Sequence, residues 1–269
     1  MNYSLQKTKE ALYGSPFRYA LSYLAPRYVA KYCPQNARIL DVGCGAGRYA
    51  LYFADARIRG EYVGIDLDES AWSEEEVPEG FTRRFVKLDA RKLDDLEPGF
   101  DFAISLTAFE HFEDDALVMR ALAKVLRSGG KALIVVPSHY SYALYGKHGF
   151  RRYSQNSIGA LCRQAGMEVV ELKKVCGLFG WLFHFLWFFP AHAMRLAMKG
   201  AAYALFGMDK DKARRKFPRL LAFLDELGNH HLKWTPARRL HGLLVRMADK
   251  ADKLLPFLET GYVFVAVKR

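Results

Sequence analysis

A loop of three glycines is the part of the sequence best suited to hold a ligand. It follows the apolar run ILDV, residues 39–42, and contains Gly43, Gly45 and Gly47 in a GxGxG pattern. Glycine tolerates backbone conformations that other residues avoid, and it lets a ligand approach the main chain closely. The pattern predicts a tight turn between a strand and a helix, with a small ligand against the backbone.

Three acidic residues end the first three predicted strands. Asp41 precedes the glycine loop, Asp66 follows Gly47 by 19 residues, and Asp89 ends the next apolar run. A carboxylate at the position of Asp66 can accept hydrogen bonds from two neighbouring hydroxyl groups, as in sites that bind a ribose. The spacing therefore predicts a nucleoside-type ligand. A solvated carboxylate at a strand end is the alternative interpretation of Asp66.

The elements that must position these residues alternate between short apolar runs and longer amphipathic ones. This alternation predicts an α/β fold with a parallel sheet and crossover helices. The predicted strands are 37–42, 61–67, 83–89, 100–106, 131–137, 167–175 and 261–269. The predicted helices follow Gly47 and cover 114–126 and 154–164, with Ser128-Gly129-Gly130 and Gly166 as their C-terminal signals and Ser154 as an N-cap.

Charge and cysteine content narrow the classes of partner. The chain carries a net charge of +11, but residues 61–115 sum to −12 and the residues after them to +17. The basic part predicts an anionic partner or surface.

The four cysteines form no CxxC pair, and the first ten residues are not an apolar signal segment, so we expect no metal site and a cytoplasmic protein.

Five segments taken together resemble the class I S-adenosylmethionine-dependent methyltransferases, in particular the small-molecule enzymes related to those of quinone biosynthesis. The segments are ILDVGCGAGRYA at 39–50, VGIDLD at 63–68, VKLDARKL at 86–93, FDFAISLTAFEHFED at 100–114 and LRSGGKALIVVPS at 126–138. The resemblance implies a seven-stranded, Rossmann-like doubly wound sheet with an antiparallel last strand. It also implies S-adenosylmethionine as the cofactor.

The resemblance assigns cofactor contacts to the ends of the strands. Asp41 would face the ammonium group and Asp66 the ribose. The implied set is Asp41, Gly43, Gly45, Gly47, Asp66, Leu67, Asp89, Ala90, Ser105, Thr107 and, from the N-terminal segment, Arg18. A nicotinamide site is the alternative from local pattern alone, but Arg48 and Tyr49 stand where its GxGxxG pattern has the last glycine.

Two clusters are candidates for the acceptor side. His111, with Glu110 beside it, is the candidate base, because histidine titrates near neutral pH. The alternative is that both residues only cap the next helix or hold the loop. Residues 147–157 resemble an H-x-R-x-Y-S/T element of the family, which implies substrate contacts. Its candidate side chains are His148, Arg151, Arg152 and Tyr153.

The predicted domains are an N-terminal helical lid, a methyltransferase domain and a helical insertion. They cover 1–34, 35–177 with 259–269, and 178–258. Residues 175–194 carry no charged side chain. A single membrane crossing there would separate the last strand from its sheet, so we expect this segment to lie in the membrane interface or to cover the acceptor site.

A later stripe at helical spacing has the same two interpretations, membrane contact or packing as a lid or on the core. It comprises Leu240, Leu243, Leu244, Met247, Ala251, Leu254 and Leu255.

The sequence thus predicts a methyltransferase for a hydrophobic, anionic small molecule or lipid-linked acceptor, peripheral to the inner face of a membrane if it touches one. The segment AFEHF, residues 108–112, also resembles cyclopropane fatty acid synthases, so lipid modification of that type is an alternative. A noncatalytic nucleic-acid-binding protein is the alternative from another class, and the absence of a recognisable RNA-binding appendage disfavours it. Oligomeric state stays open.

Overall fold

The computed structural model describes residues 15–72, 80–145, 149–206, 215–216, 218–219, 235–255 and 257–269. The strands of these ranges form one sheet: β1 Asn36–Val42, β2 Arg59–Asp66, β3 Phe81–Lys87, β4 Phe100–Leu106, β5 Leu126–Pro137, β6 Met167–Val175 and β7 Gly261–Lys268. The helices are α1 Pro16–Tyr32, α2 Ala50–Asp55, α3 Asp115–Val125, α4 Tyr142–Tyr145, α5 Gln155–Gln164, α6 Leu178–Phe206 and α7 Thr235–Ala251.

The sheet has the predicted doubly wound topology. Its strand order is β3-β2-β1-β4-β5-β7-β6, with parallel pairing from β3 to β5 and with β7 antiparallel to both of its neighbours. The winding reverses between β1 and β4, where the chain passes to opposite sides of the sheet. Ligands of open α/β sheets bind outside the carboxyl ends of the strands at such a reversal. The expected α/β class, seven strands and antiparallel last strand are confirmed.

Both faces of the sheet are buried, which explains the short, continuous apolar runs of its strands. Neighbouring residues of β1 point to opposite faces, so Ile39 packs with α1 and α2 while Leu40 packs with α3 and α5. Each of these two side chains is fully buried. The site is therefore built on a sheet that helices clamp from both sides.

Three details of the predicted elements are wrong. Helix α3 ends at Val125 with Leu126 as its cap, and Leu126 already pairs with Phe100, so Ser128-Gly129-Gly130 lies within β5 and does not end the helix. Strand β5 accordingly begins five residues before its predicted start. Strand β3 ends at Lys87, so Asp89 does not end a strand.

The ends of helix α5 confirm the prediction. The Ser154 hydroxyl accepts a hydrogen bond from the Ser157 N–H, and the Ser157 hydroxyl accepts one from the Ser154 N–H, which is a reciprocal capping arrangement. After the C-cap Ala165, Gly166 takes a φ of +69°, the left-handed conformation that commonly follows a helix.

The described part of the predicted lid is α1, which packs against the sheet. Its N-cap Ser15 accepts a hydrogen bond from the Arg18 N–H, and Phe17 and Leu24 are buried in the core. Glu171 of β6 fixes the other end, because it accepts a hydrogen bond from Tyr28 and pairs with Lys31. Residues 1–14 of the predicted lid lie outside the described residues.

Helices α6 and α7 account for the described part of the insertion. The Asp252 carboxylate accepts hydrogen bonds from the N–H groups of Phe179 (2.7 Å) and Gly180 (3.2 Å), so the residue after α7 caps the start of α6. Burial raises the pKa of Asp252, and these N–H groups oppose the rise. No helix within the described ranges has the length and the apolar composition that crossing a bilayer requires.

Replacing Asp252, the buried cap of α6, should lower the stability of the protein. We expect Asp252→Ala to lower the free energy of unfolding by about 1–3 kcal/mol, because two backbone donors at the start of α6 lose their acceptor. Urea unfolding gives the value. Asp94→Ala, which removes an exposed ion pair with Lys124, should cost under about 1 kcal/mol. Equal losses for the two variants would contradict the assigned cap.

Candidate functional site

The glycine loop is held across the ends of β1 and β2. The N–H groups of Gly43 and Cys44 both donate to the carbonyl oxygen of Ile65, at 3.0 and 2.9 Å. Gly43 has a φ of +73°, and a Cβ there would lie 2.6 Å from the Ala108 Cβ, so the turn after β4 packs directly on it. Glycine is therefore required here by both conformation and space.

The other two loop glycines also adopt positive φ values, but their surroundings differ. A Cβ on Gly47 would meet the Phe85 ring at 2.3 Å, whereas one on Gly45 would meet no described atom within 4 Å. Gly45 thus presents its backbone to open space. A ligand can therefore approach the main chain at Gly45 without meeting a described side chain.

Asp66 joins the loop to the end of β2. Its Oδ2 accepts a hydrogen bond from the Gly45 N–H at 2.8 Å, and its Oδ1 accepts one from the Asp68 N–H at 3.1 Å. The carboxylate is half-buried, and the next residue, Leu67, is exposed. The predicted acid and the glycine loop therefore form one structural unit.

Asp89 lies two residues beyond β3 and caps the turn 90–95. It accepts a hydrogen bond from the Arg91 N–H, and the Arg91 guanidinium binds both of its carboxylate oxygens. The Arg91 side chain thereby lowers the pKa of Asp89. Ala90 beside it is buried.

Asp41 is a fully buried carboxylate with one partner. The Tyr62 hydroxyl donates to its Oδ2, whereas its Oδ1 has no hydrogen-bond partner among the described residues. Burial raises the pKa of Asp41 to about 7, and the hydrogen bond from Tyr62 opposes the rise. An unpartnered buried carboxylate oxygen is costly, and a cationic donor bound beside it would remove that cost.

The end of β4 lies next to Asp41. Ser105 is fully buried, and its hydroxyl donates to the Val42 carbonyl oxygen at 2.8 Å, which joins β4 to β1. Thr107 has a φ of +61°, an outlier for a β-branched residue, and its N–H donates to Val135. Backbone strain of this kind clusters at functional sites.

Glu110 and His111 follow on the turn 109–111. Glu110 is 3% exposed, and no described residue supplies a hydrogen-bond partner for its Oε2. Burial raises its pKa to about 7, although the charges of Arg152 and Arg18 favour ionisation. The His111 side chain is 43% exposed, with Nε2 4.0 Å from Glu110 Oε1. Neither residue caps α3, because Asp114 does so.

Three of the four predicted acceptor-side residues are described. Arg151 forms an ion pair with Asp115, and the Tyr153 hydroxyl lies 2.9 Å from the other Asp115 oxygen. Both side chains therefore contact the segment that follows β4. Arg152 is buried, with its guanidinium 4.8 Å from the centre of the Tyr142 ring. His148 lies outside the described residues.

A row of aromatic rings runs from this edge along α6. The Tyr145 ring meets His184 edge-on at 5.1 Å, while Trp181, Phe185 and Phe189 stack in succession, with centroids 5.6 and 4.6 Å apart. The Trp181 indole N–H donates to the Tyr140 carbonyl oxygen. Tyr142 and Tyr145 were not predicted from the sequence, although aromatic residues between β5 and the insertion are a visible signal.

The predicted apolar stripe of α7 faces outward. Leu240, Leu243 and Met247 are each about half exposed, whereas His241 and Val245 pack inward. For these three residues the interpretation as core packing is wrong, because α7 buries its other face. The exposed basic residues of the same stretch are Arg239, Arg246, Lys250 and Lys253.

Comparisons with known proteins agree with this geometry. Residues 17–172 match a family model described as a methyltransferase domain. The chain is 28% identical over 155 residues to the ubiquinone biosynthesis O-methyltransferase of Pseudomonas aeruginosa and 29% identical over 154 residues to that of Pseudomonas paraeruginosa. Each match covers 50% of this chain, and the chain spans 66% of the length of these relatives.

Two solved structures resemble the whole fold. One is a protein described as a sarcosine dimethylglycine methyltransferase from Galdieria sulphuraria, 12% identical, with a TM-score of 0.55 over 99% of this chain and 98% of that one. The other is the [4+2]-cyclase SpnF, 19% identical, with a TM-score of 0.53 over 96% and 84%. At these identities the likeness concerns the fold alone.

The ionisation of Glu110 should make stability depend on pH. Because the pKa is raised from 4.5 to about 7 on folding, the folded state holds the proton more tightly, so stability falls as pH rises from about 4.5 to 7. The full effect is about 3 kcal/mol. We expect Glu110→Gln to remove this part of the pH dependence in urea unfolding, while the exposed Glu113→Gln keeps it. Identical profiles for both variants would contradict the raised pKa.

Proposed function

Since the chain belongs to the methyltransferase-domain family, we propose that it transfers a methyl group from S-adenosylmethionine to a hydrophobic small-molecule or lipid-linked acceptor. The observation that carries this proposal is a pair of buried carboxylates, Asp41 near the carboxyl end of β1 and Glu110 on the turn that follows β4. Each has an oxygen without a hydrogen-bond partner among the described residues. The free oxygen of Asp41 suits a cationic ligand group, and that of Glu110 suits a proton taken from the acceptor.

The residues present fit S-adenosylmethionine. Asp41 Oδ1 would accept from its ammonium group, and Asp66, already fixed by Gly45, would accept from its ribose hydroxyls. Leu67 and Ala90 lie beside the strand ends where the adenine would be held. The other predicted contacts are the backbone of Gly43, Gly45 and Gly47, Asp89, Ser105 to Thr107, and Arg18.

The protein's task is alignment and proton removal. When bound, S-adenosylmethionine supplies a methyl group on a positively charged sulfur that is open to in-line attack. A hydroxyl acceptor must lose its proton as it attacks, and we assign that proton to Oε2 of Glu110. A carboxyl with a pKa of about 7 is well matched to this role near neutral pH. His111, whose partly exposed side chain has its Nε2 4.0 Å from Glu110 Oε1, would pass the proton to water.

The acceptor-side contacts favour a molecule with an anionic head and an apolar body. The buried Arg152 would hold an anionic group, since its charge acts on Glu110 from close by. Tyr145 and the rings of α6 would contact the apolar part. We assign Arg151 and Tyr153 to holding the loop, because both already bind Asp115. His148 stays a predicted contact.

We also propose that α6 and α7 contact an anionic membrane surface. The exposed apolar side chains of α7 alternate with Arg246 and Lys250, and Lys253 follows the helix, a composition typical of helices that lie in a lipid interface. Exposed Leu186 and Phe189 extend the apolar surface along α6. Leucine and methionine side chains predominate among the exposed apolar residues of α7, and they favour a lipid surface over the aromatic stacking that a single-stranded nucleic acid would use. The predicted lid and insertion domains remain part of this proposal.

Methyl transfer can be tested without knowing the acceptor. We expect the protein to move label from methyl-labelled S-adenosylmethionine into the organic phase of a bacterial lipid extract. Asp66→Ala should bind S-adenosylmethionine about 10- to 100-fold more weakly by calorimetry, because it loses charge-assisted hydrogen bonds worth about 1.5–3 kcal/mol. The exposed Asp95→Ala is the control.

Three results would contradict these assignments. Unchanged affinity in Asp66→Ala would remove the ribose contact. Salt-sensitive RNA binding without any transferred label would favour the noncatalytic alternative. Label within an acyl chain as a cyclopropane carbon would favour the cyclopropane-synthase alternative.

Membrane contact depends on the exposed face of α7. We expect the protein to float with vesicles that contain phosphatidylglycerol. It should not bind vesicles that consist only of phosphatidylcholine. The double variant Leu243→Gln with Met247→Gln should lower binding at least about tenfold, since each partly exposed side chain loses apolar burial in lipid. Leu117→Gln, an equally polar change on α3, should bind normally. Normal flotation of the double variant would contradict the proposed face.

A further inference from the structure

The five residues before Ser154, the N-cap of α5, form a strap over the turn that carries Glu110. The strap comprises residues 149–153. Its Phe150 N–H donates to the Glu110 carbonyl oxygen at 2.7 Å. Gly149 packs so closely that a Cβ there would lie 2.6 Å from that oxygen and 3.1 Å from Glu110 Cγ. The strap therefore contacts both the backbone and the side chain of the buried acid.

The far end of the strap is anchored to the segment after the turn. Arg151 pairs with one oxygen of Asp115 and also donates to the Glu113 carbonyl oxygen. Tyr153 is buried, and its hydroxyl lies 2.9 Å from the second Asp115 oxygen and 3.2 Å from the Phe109 carbonyl oxygen. Anchors thus lie on both sides of Glu110 along the chain.

The strap also supplies a positive charge that acts on this acid. Arg152 is buried and favours the ionised form of Glu110. Its Nη1 donates to the Arg151 carbonyl oxygen, so its position follows that of the strap. Burial and a neighbouring cation act in opposite directions on a carboxyl group. The strap contributes to both, because Gly149 packs against the acid and Arg152 is the cation.

We propose that this strap, anchored through Arg151 and Tyr153, positions the Glu110 carboxyl and sets its proton affinity. These are positioning residues: they act on the reaction through Glu110. The inference rests on the proposed function for its catalytic consequence, but its effect on the carboxyl group is independent of turnover. A shift of the turn by about 1 Å would expose Glu110 to water and misplace its Oε2, a displacement that costs an enzyme about 100-fold in rate.

The test compares two glycine variants with the same backbone strain. Gly149 and Gly129 both have a φ of +74°, but a Cβ on Gly129 would meet no described atom within 4 Å. Gly149→Ala and Gly129→Ala therefore share the conformational cost and differ in the contact with Glu110. The readout is the pKa of Glu110, from the carboxyl carbon signal of ¹³C-glutamate-labelled protein, identified by its absence in Glu110→Gln.

We expect the Glu110 pKa to fall by about one unit or more towards its ordinary value in Gly149→Ala, because the displaced turn admits water. Gly129→Ala should keep the wild-type value. Tyr153→Phe, which removes only a hydroxyl group, is the milder second variant and should lower the pKa in the same direction. S-adenosylhomocysteine binding, measured by calorimetry, should be unchanged in all three, since the strap is not among the proposed cofactor contacts.

The possible failures are distinguishable. If the Glu110 pKa is the same in Gly149→Ala, Tyr153→Phe and Gly129→Ala, the strap does not set it and the inference is wrong. If the pKa falls as expected but Glu110→Gln still transfers label to the lipid extract at the wild-type rate, the effect of the strap on Glu110 is confirmed. Glu110 is then not the proton acceptor of the reaction.

Discussion

Burial of two carboxyl groups at the reversal of the sheet is the constraint on which the site depends. Asp41 lies near the end of β1 and Glu110 on the turn after the adjacent parallel strand β4, and helices cover both faces of this sheet. Burial raises both pKa values to about 7. Each group retains one oxygen without a partner among the described residues, so the fold holds polar groups that a bound ligand would satisfy.

The remaining polar contacts keep these two acids in place. The glycine loop hydrogen-bonds to Ile65 and packs against Ala108, and Asp66 ties it to the end of β2. The strap fixes the turn that carries Glu110. Beyond this rigid edge, α6 and α7 present aromatic, leucine and basic side chains to the outside. The molecule thus combines a hydrogen-bonded edge suited to the cofactor with a surface suited to an apolar, anionic acceptor.

Much of the fold could be predicted from the sequence, because both periodicity and punctuation are local signals. The run 100–106, the cap at Ser154 and the glycine loop all have the predicted structure. The start of β5 was missed because Leu126 pairs with Phe100, a contact that no local pattern encodes. The outward stripe of α7 was ambiguous for the same reason, since only tertiary packing decides which face of a helix is buried.

The candidate site was less accessible to sequence reasoning. The positions of Asp41 and Asp66 could be predicted, because both follow from the pattern of the strands. The role of Arg151 could not, because it depends on Asp115, which lies 36 residues earlier in the chain but beside Arg151 in the fold. Burial likewise reverses the ranking of Glu110 and His111. A histidine is the natural base by its ordinary pKa, yet burial brings the pKa of the glutamate to the same range, while the histidine side chain stays partly exposed.

The central claim is that the buried carboxylate of Asp41 binds a cationic group of the ligand. Proton release during S-adenosylmethionine binding tests this claim most directly. Calorimetric titration near pH 6.5, repeated in buffers of different ionisation enthalpy, counts the protons released. A bound ammonium beside Asp41 would lower the pKa of that carboxyl from about 7, so the account predicts net proton release that Asp41→Asn abolishes. Binding without proton release, or release that persists in Asp41→Asn, would contradict it.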